Sequence, residues 1–325
     1  MEYIPIVYAA KHTDLETRMN SRSGGIFTAL SDDILEKGGV VYGCILDEHF
    51  KAIHVRAETA QERDKMRGSK YIESNLGNTF AQVKKDLESG RYVLFSGTSC
   101  QIAGLRSYLS STYSNLFCVD IVCHGVPSPK VWEKYLNWQE NRINGQCIVT
   151  EFRNKKKFGW SSHVETLTIR LLNGKEYTIH SEIFKELFYG HNILRPSCYY
   201  CPYKTINHPG DITIADYWGI DKAAPGFNDN HGVSLVLINN KVGEQTFKSI
   251  KNSITYQTCS LEDSMQPSLI RPFLIPKERD EFWRDFRSKS FEYIARKYGG
   301  YGNLNKIKHI IKKLIKKITG RIFLF

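Results

Sequence analysis

Residues 91–141, RYVLFSGTSCQIAGLRSYLSSTYSNLFCVDIVCHGVPSPKVWEKYLNWQEN, pass twice through a strand pattern and a helix pattern. Residues 92–96 form a short apolar strand, a Gly-Thr-Ser turn follows, and residues 100–109 show the apolar spacing of a helix. Residues 116–122 are the next strand, and 129–138 are the next helix. This order predicts parallel strands joined by right-handed crossovers. Ligands of such sheets bind outside the carboxyl ends of the strands.

Two cysteines directly follow the ends of these predicted strands. Cys100 comes after the first strand and Cys123 after the second. If the strands are neighbours, their ends lie about 5 Å apart, and both sulfurs face one crevice. Cys100 also begins a helix, where the dipole and the free N–H groups favour a thiolate. Cys118 and Cys44 lie within predicted strands and are interpreted as core thiols.

A further pair, Cys198 and Cys201, forms the C-x-x-C of RPSCYYCPY. Two cysteines with this spacing can point both sulfurs at one metal. The pattern is typical of a zinc site, a redox dithiol or half of an iron–sulfur cluster. Two unrelated loop cysteines are the alternative interpretation. A Pro-Gly turn and the stretch DITIADYWG, which begins with a β-branched run, follow.

Two turns built from small residues are candidate anion sites. The first, in RMNSRSGGIFTAL, enters a helix, and its candidates are Ser23, Gly24 and Gly25. Small residues and free N–H groups at a helix start bind anions, although an ordinary N-cap needs only one Ser. The second turn, in MRGSKYIES, could hold a phosphate or a ribityl chain, or it is a solvated turn. Its candidates are Arg67, Gly68, Ser69 and Lys70.

The middle of the chain predicts a different local structure. Residues 164–172 and 176–180 alternate like strands and are joined by Asn-Gly, which is a hairpin signal. The preceding EFRNKKKFGWSSH could receive an anionic substrate, but a solvated hairpin flank is the favoured interpretation. Residues 276–299 have the pattern of one amphipathic helix. We therefore predict an α/β fold with a mostly parallel sheet, flanking helices, an inserted β-hairpin region and a C-terminal amphipathic helix.

Composition limits the classes of protein that fit. The chain has 325 residues and 41% hydrophobic content, which suits one large or two moderate domains, and we predict one body over residues 1–300. The net charge is +11, but residues 301–325 carry seven Lys or Arg and no Asp or Glu. The basic charge therefore describes mostly this tail, which counts against a nucleic-acid-binding body.

Two sequence features bear on where the protein acts. No apolar run is long enough for a membrane-spanning helix and no signal-peptide pattern begins the chain, so we expect a cytoplasmic protein whose cysteines are thiols or metal ligands. Residues 301–325 place Ile and Leu on one helical face and Lys on the other. This pattern predicts attachment to an anionic membrane surface, and docking on a partner or on the body is the alternative.

The chain carries, in order along the sequence, the motifs SRSGG, GSKY, FSGTSCQIAGL, CHGVPSP, FRNKKKFGW, SCYYCPY and GDITIADYWG. This ordered set resembles the coenzyme F420 hydrogenase/dehydrogenase beta subunit family over roughly residues 8–250. The resemblance implies a flavoprotein with a cubane iron–sulfur cluster. Such a protein relays electrons between a one-electron chain and a two-electron hydride carrier, coenzyme F420 or a related one.

The resemblance also implies site residues, carried over by position. The ligands of a [4Fe–4S] cluster would be Cys100, Cys123, Cys198 and Cys201. The phosphate or ribityl part of the flavin, FAD or FMN, would be lined by Ser23, Gly24, Gly25, Gly68, Ser69 and Lys70. Gly97 and Thr98 would approach the isoalloxazine. No residue need act as a general base, because hydride moves to or from the flavin itself.

The chain departs from the family pattern at its start. Many members begin with a ferredoxin-like segment carrying C-x₂-C-x₂-C-x₃-C-P, whereas nothing of this kind precedes Ser21 here. Further clusters are therefore expected from a ferredoxin-like partner in trans. Relatives of this truncated kind resemble accessory reductases of surface-polysaccharide pathways. The rival interpretations are a non-enzymatic Cys₄ zinc-stabilised module and a nucleic-acid-binding protein.

Overall fold

A computed structural model describes residues 4–302, which divide into two compact units. Unit 1 comprises residues up to His124, Lys155–Ser161 and Cys201–Arg271, and unit 2 comprises Gly125–Asn154, Ser162–Tyr200 and the residues from Pro272 on. The single body predicted for residues 1–300 stays a prediction. The amphipathic helix predicted in the tail lies, from residue 303 on, outside the described residues.

The described residues form strands and helices in mixed order along the chain. The strands are β1 Ile6–His12, β2 Val40–Leu46, β3 Ala52–Ala57, β4 Val93–Thr98, β5 Leu116–Ile121, β6 Gly145–Glu151, β7 Glu165–Leu171, β8 Glu176–Ser181, β9 Ile212–Asp216, β10 Ser234–Ile238 and β11 Ile254–Cys259. The α-helices are α1 Leu15–Asn20, α2 Ile26–Glu36, α3 Ala60–Asp64, α4 Thr79–Glu88, α5 Ser99–Leu109, α6 Pro129–Ile143, α7 Lys155–Phe158, α8 Ile183–Tyr189, α9 Ile220–Ala223, α10 Lys241–Ser249, α11 Arg279–Ser288 and α12 Phe291–Lys297.

Unit 1 is built on an eight-stranded sheet with the order β11-β1-β10-β9-β5-β4-β2-β3. The strands β9, β5, β4 and β2 pair in parallel and form its centre. Antiparallel strands extend this centre, with β3 on one side and β10, β1 and β11 on the other. Helices cover both faces, which is why strands such as β10 are buried along their whole length. The predicted α/β class, with its parallel strands and flanking helices, is confirmed.

The core of unit 1 has one layer on each face of the sheet. On one face, α2 and α10 pack through apolar side chains such as Leu30 and Phe247. On the other face, α4 and α5 pack through Val83, Ile102 and Leu105. These two layers fix where each helix begins relative to the strand that precedes it.

Register brings several strand ends of unit 1 to one edge, here called the carboxyl edge. Thr98 pairs with Ile121, and Ile121 pairs with Ile214, so β4, β5 and β9 end side by side. Asp216, the last residue of β9, pairs with Ser234, the first residue of β10. The carboxyl end of β1 reaches the same edge, because β1 is antiparallel to β10.

Unit 2 contains a separate antiparallel sheet in the order β6-β7-β8. The predicted hairpin is confirmed as β7 and β8, and its turn uses Gly174 at a φ of +79°. The additional strand β6 was not predicted, because its sequence, GQCIVTE, has no clear alternation. Aromatic side chains of α6, α8 and α12 pack together beside this sheet; they include Trp132, Tyr135, Phe184 and Phe291.

Several predicted boundaries were wrong. Gly97 and Thr98, predicted in a turn, are the last two residues of β4. The helix predicted over 276–299 is two helices, because the chain is extended at Lys289 and Ser290 then caps α12 by accepting a hydrogen bond from the N–H of Tyr293. Within residues 4–302, no helix has both the length and the apolar character needed to cross a bilayer.

Candidate functional site

Two of the predicted cluster ligands leave the sheet of unit 1 side by side. Cys100 and Cys123 each lie two residues beyond a register pair, Thr98 and Ile121, that joins the ends of β4 and β5. Adjacent strands lie about 4.8 Å apart. Cys100 is exposed and Cys123 is half-buried. The two thiols therefore belong to adjacent segments at the carboxyl edge.

Cys100 occupies the second position of helix α5. Its Sγ lies 3.1 Å from the Oγ1 of Thr98. The N–H of Thr98 donates to Oε1 of Gln101 at 2.9 Å, which fixes the start of the helix. The first turn of a helix carries unpaired N–H groups and a partial positive charge, and Cys100 lies within this turn.

A third predicted ligand, Cys201, begins the segment that leads into β9. Two buried side chains hold this segment in unit 1. The Nζ of Lys204 donates to the carbonyl oxygen of His124 at 2.9 Å. His208 Nδ1 lies 3.0 Å from Oδ2 of Asp120 and 3.1 Å from Oγ of Ser99. The segment is thereby attached to the residues beside Cys100 and Cys123.

The fourth predicted ligand, Cys198, belongs to unit 2 and lies in a 3₁₀ turn, Pro196–Tyr200. The N–H of Cys198 donates to the carbonyl oxygen of Arg195 at 2.9 Å. Its Sγ accepts a hydrogen bond from the N–H of Val126 at 3.5 Å. A donor directed at sulfur favours the thiolate that a metal site requires.

Three other cysteines have surroundings that suppress the thiolate. Burial raises the pKa of Cys44 and Cys118, and it raises the pKa of Cys147 to about 12. All eight cysteines are thiols rather than disulfides. In residues 4–302, no three or more His, Cys, Asp or Glu side chains form a group fit for one metal ion.

The Ser23–Gly25 turn packs tightly against the sheet. The N–H of Gly24 donates to Oγ of Ser234 at 3.0 Å, and Oγ of Ser23 donates to the carbonyl oxygen of Val233 at 2.7 Å. A Cβ on Gly24 would lie 2.4 Å from the carbonyl oxygen of Ala10. Gly25 caps α2 with a φ of +87°. Packing alone thus explains Gly24, and the turn leaves the amides of α2 at the carboxyl edge.

The second predicted turn closes helix α3. Lys70 donates from Nζ to the carbonyl oxygens of residues 65, 66 and 67 at 2.8–3.0 Å. Burial lowers its pKa to about 8. Gly68 has a φ of +79° and open space around its Cβ position, and Ser69 is exposed. Lys70 is thus engaged with the backbone and shapes the turn rather than reaching outward.

Arg67 connects the two turns. Its Nε donates to Oγ1 of Thr28, in the first turn of α2, at 3.1 Å, and its Nη2 pairs with Asp64 at 2.8 Å. The side chain of Arg67 is 14% exposed. A cation is therefore held beside the amino-terminal end of α2, which itself favours anions. The sequence predicts Arg67 as a candidate for phosphate or ribityl binding beside Gly68, and the structure adds its contact with α2.

The basic and aromatic stretch around residue 155 is not the solvated flank that was favoured. Lys155 and Trp160 are 4% and 3% exposed and belong to unit 1. The indole Nε1 of Trp160 donates to Oδ1 of Asp216 at 2.7 Å. Its ring stacks on the half-exposed Trp218 with centroids 5.3 Å apart. The run of three lysines gave no signal of which one is buried, so sequence reasoning missed this contribution to the carboxyl edge.

Comparisons with known proteins agree with this architecture. Two models of the family "Coenzyme F420 hydrogenase/dehydrogenase, beta subunit" match the chain, the C-terminal model over residues 90–264 and the N-terminal model over residues 7–79. A similar solved structure is a chain of the xenon-derivatised F420-reducing [NiFe] hydrogenase complex from Methanosarcina barkeri. The TM-score is 0.51 at 21% identity, over 81% of this chain and 84% of that one, which shows the fold alone. No curated protein matches the chain.

Proposed function

Because this chain belongs to the coenzyme F420 hydrogenase/dehydrogenase beta subunit family and is an oxidoreductase-type subunit, we propose that it relays electrons through one [4Fe–4S] cluster and one flavin. The resemblance inferred from the sequence is confirmed by both family matches. The cofactors, their ligands and the substrate are the parts that remain proposals.

The observation that carries the proposal is the meeting of three thiol-bearing segments at the carboxyl edge of unit 1. Cys100 lies in the first turn of α5, where the helix dipole favours negative charge, and its Sγ lies 3.1 Å from the hydroxyl oxygen of Thr98. The proposed ligands are Cys100, Cys123 and Cys201, with Cys198 as the fourth. A [4Fe–4S] cluster held by four cysteine thiolates would exchange single electrons. The protein's own contribution is to hold the four thiolates in place and to keep the competing thiols protonated.

The proposed flavin site uses the two turns and the end of β4. The amides that begin α2 and the guanidinium of Arg67 would bind the phosphate, and the turn residues would flank it; these are Ser23, Gly24, Gly25, Gly68, Ser69 and Lys70. Gly97 and Thr98, at the end of β4, would approach the isoalloxazine. A bound flavin, FAD or FMN, exchanges hydride on one side and single electrons on the other.

The proposal extends to the reaction partners. The hydride carrier is coenzyme F420 or a related two-electron acceptor, and a ferredoxin-like protein in trans supplies or removes single electrons. We place the protein in the cytoplasm, with its basic tail at an anionic membrane surface. An accessory reductase of surface-polysaccharide synthesis is the biological role that suits this arrangement.

Anaerobic purification followed by iron analysis and an absorption spectrum tests the cluster. We expect about four irons per chain and a broad absorption near roughly 400 nm. Changing any of Cys100, Cys123, Cys198 or Cys201 to Ala should abolish or weaken both signals. Cys259→Ala is the matched control, because Cys259 is also half-buried but lies in β11. Loss of iron in the control alone, or in none of the variants, would contradict the ligand assignment.

The same preparation separates the proposal from a zinc-stabilised module. Zinc is d¹⁰ and gives no visible absorption, whereas a cluster is brown. A colourless protein with one zinc per chain would establish the zinc alternative.

A further inference from the structure

His208 lies in the segment that joins Cys201 to β9, and its ring is almost completely enclosed. Its side chain is 1% exposed, and that of Asp120 is 0% exposed. Because a carboxylate only accepts hydrogen bonds, Nδ1 of His208 donates to Oδ2 of Asp120 at 3.0 Å. Oδ1 of the same carboxylate accepts from Oγ1 of Thr213 at 2.5 Å. A buried ionic group with this many partners has a fixed position.

The ring of His208 contacts the residues that lead from β4 to Cys100 and from β5 to Cys123. Ser99, whose Oγ lies 3.1 Å from Nδ1, is the residue before Cys100 and is itself 3% exposed. Asp120 lies in β5, three residues before Cys123. One imidazole nitrogen therefore joins the segment that carries Cys201 to both neighbouring segments.

The backbone of the same segment is shaped to bring His208 against Asp120. A Cβ on Gly210 would lie 2.9 Å from Cγ of Asp120, so a glycine lets the chain pass directly over the carboxylate. Arg106 donates from Nε to the carbonyl oxygen of Pro209 at 2.9 Å and holds the turn from the side of α5. This packing leaves the ring of His208 little freedom.

The other ring nitrogen of His208 indicates that stability alone does not account for this residue. Nε2 is buried and has no hydrogen-bond partner in the described part of the chain. An unpartnered buried polar atom destabilises a fold, and such atoms concentrate where a function requires them.

We propose that His208 is a positioning residue of the cluster site, which sets the separation of the three unit 1 thiolates through its contacts with Asp120 and Ser99. This inference rests on the proposed function. It assigns His208 no contact with iron. Residues that orient metal ligands in this way typically affect metal affinity by roughly 10- to 100-fold.

Three substitutions at this position separate positioning from general stability. The amide nitrogen of asparagine is attached to Cγ, as Nδ1 is in histidine, so His208→Asn keeps the donor to Asp120. His208→Gln places its amide one atom further out, and His208→Ala removes it. Tyr42→Phe is the control, because it removes the 2.5 Å hydrogen bond from Tyr42 in β2 to Asp86 in α4, and neither element carries a proposed ligand.

The measurement is the rate at which a chelator removes iron from the anaerobic protein, beside the unfolding midpoint of each iron-free variant. We expect His208→Ala and His208→Gln to lose iron roughly 10- to 100-fold faster than the wild type. We expect His208→Asn and Tyr42→Phe to stay near the wild-type rate, and Ser99→Ala to fall between. We expect His208→Asn to keep the wild-type rate of iron loss even if its unfolding midpoint is lowered as far as that of Tyr42→Phe.

The outcomes distinguish the inference from the function on which it rests. A wild-type chain that takes up no iron overturns both. A wild type that holds its cluster, with His208→Ala losing iron no faster, overturns only the role of His208. Iron loss that follows the unfolding midpoint across all variants, the Tyr42 control included, overturns it as well. If His208→Ala does not fold, an unchanged rate in Ser99→Ala and His208→Gln is the contradicting result.

Discussion

Lys155 is a buried lysine that pairs with backbone rather than with a carboxylate. Its Nζ donates to the carbonyl oxygens of Ser23 and His231 at 3.1 and 3.0 Å, and also to that of Arg18. Desolvation, reinforced by the nearby charge of Arg22, lowers its pKa from 10.5 to about 7. The ammonium group therefore connects the Ser23–Gly25 turn to the loop before β10. The free-energy cost of keeping it protonated in the folded chain depends on pH.

We expect the free energy of unfolding to rise with pH above about pH 7. Between pH 7 and 10 the unfolded chain keeps the Lys155 proton that the folded chain has lost, so alkaline conditions favour the folded state. The contribution has a slope of up to about 1.4 kcal/mol per pH unit. Lys155→Met should remove this slope and, by leaving carbonyls unpaired, lower stability by about 1–3 kcal/mol.

Urea unfolding at pH 7, 8 and 9 measures both effects. The matched control is Lys156→Met, because Lys156 is the next residue in the same basic run and is exposed. It should keep the wild-type slope and stability. An identical pH slope in Lys155→Met and the wild type would contradict the assignment.

Gly24 and Gly68 are glycines for different physical reasons. In Gly24→Ala the new methyl meets a backbone carbonyl oxygen at 2.4 Å, which no side-chain rotation relieves. We expect a loss of about 3 kcal/mol or more. In Gly68→Ala the space is open and only the φ of +79° is strained, so we expect about 1–2 kcal/mol. Urea titrations of both variants test this, and equal losses would argue against the close packing of the Ser23–Gly25 turn.

Some site residues could be predicted from sequence and others could not, for a physical reason. Cys100 and Cys123 were placed at strand ends because apolar runs locate strands reliably. The roles of His208 and Asp120 depend on a contact between positions 88 residues apart in the chain. No local pattern contains such a contact. The same applies to Lys155, whose three partners are Arg18 in α1, Ser23 in the turn before α2 and His231 in the loop before β10.

At the level of elements, the start of α2 is the site that we propose for the phosphate of the flavin. Arg67 reaches it from the turn after α3 and bonds to Thr28. Helix amides and a guanidinium recognise the same ligand, a phosphate. The isoalloxazine ring contributes nothing to this particular contact.

Comparing FMN with riboflavin isolates the phosphate contact. In the wild type we expect FMN to bind more tightly than riboflavin, which lacks the phosphate. Arg67→Gln should reduce the ratio of the FMN affinity to the riboflavin affinity by roughly 10- to 100-fold, since a charged hydrogen bond contributes about 1.5–3 kcal/mol. Arg91→Gln is the control, because Arg91 pairs with Glu58 near the surface. Fluorescence titration gives the affinities, and an unchanged ratio in Arg67→Gln would place the phosphate elsewhere.

Two of the strands that sequence reasoning missed, β1 and β11, share one property. The strands β1 and β11 lie on the antiparallel side of the sheet and pair with each other, and β1 also pairs with β10. Their partners are remote in sequence, so no hairpin turn or crossover helix in the adjacent sequence predicts their pairing. The parallel strands β4 and β5 were predicted because helix α5 connects them directly.

At the level of the whole molecule, the charge of the chain is concentrated at its carboxyl end. Residues 301–325 hold seven of the 45 Lys and Arg residues and none of the 34 Asp and Glu residues. Each Lys or Arg near an anionic leaflet contributes about 1 kcal/mol, and apolar burial adds to this. The hydropathy pattern and the charge together favour reversible attachment to a membrane.

Co-sedimentation with vesicles tests this attachment. The intact chain should bind anionic vesicles at low salt, bind neutral vesicles weakly, and be released as salt screens the charges. A chain without residues 301–325 should bind neither. Equal binding by the two chains, or no binding by the intact chain, would show that the tail serves another purpose.

The position of β1 between β10 and β11 has a consequence for how the protein is made. A ribosome synthesises β1 first, yet its partners at Ser234 and Ile254 emerge more than two hundred residues later. At 5–20 residues per second this interval lasts roughly 10 to 45 s. During that time the apolar segment of β1 has no strand on either side to pair its backbone N–H and C=O groups. The last strands to emerge therefore complete the sheet, and chaperones that shield nascent chains should raise the yield of folded protein.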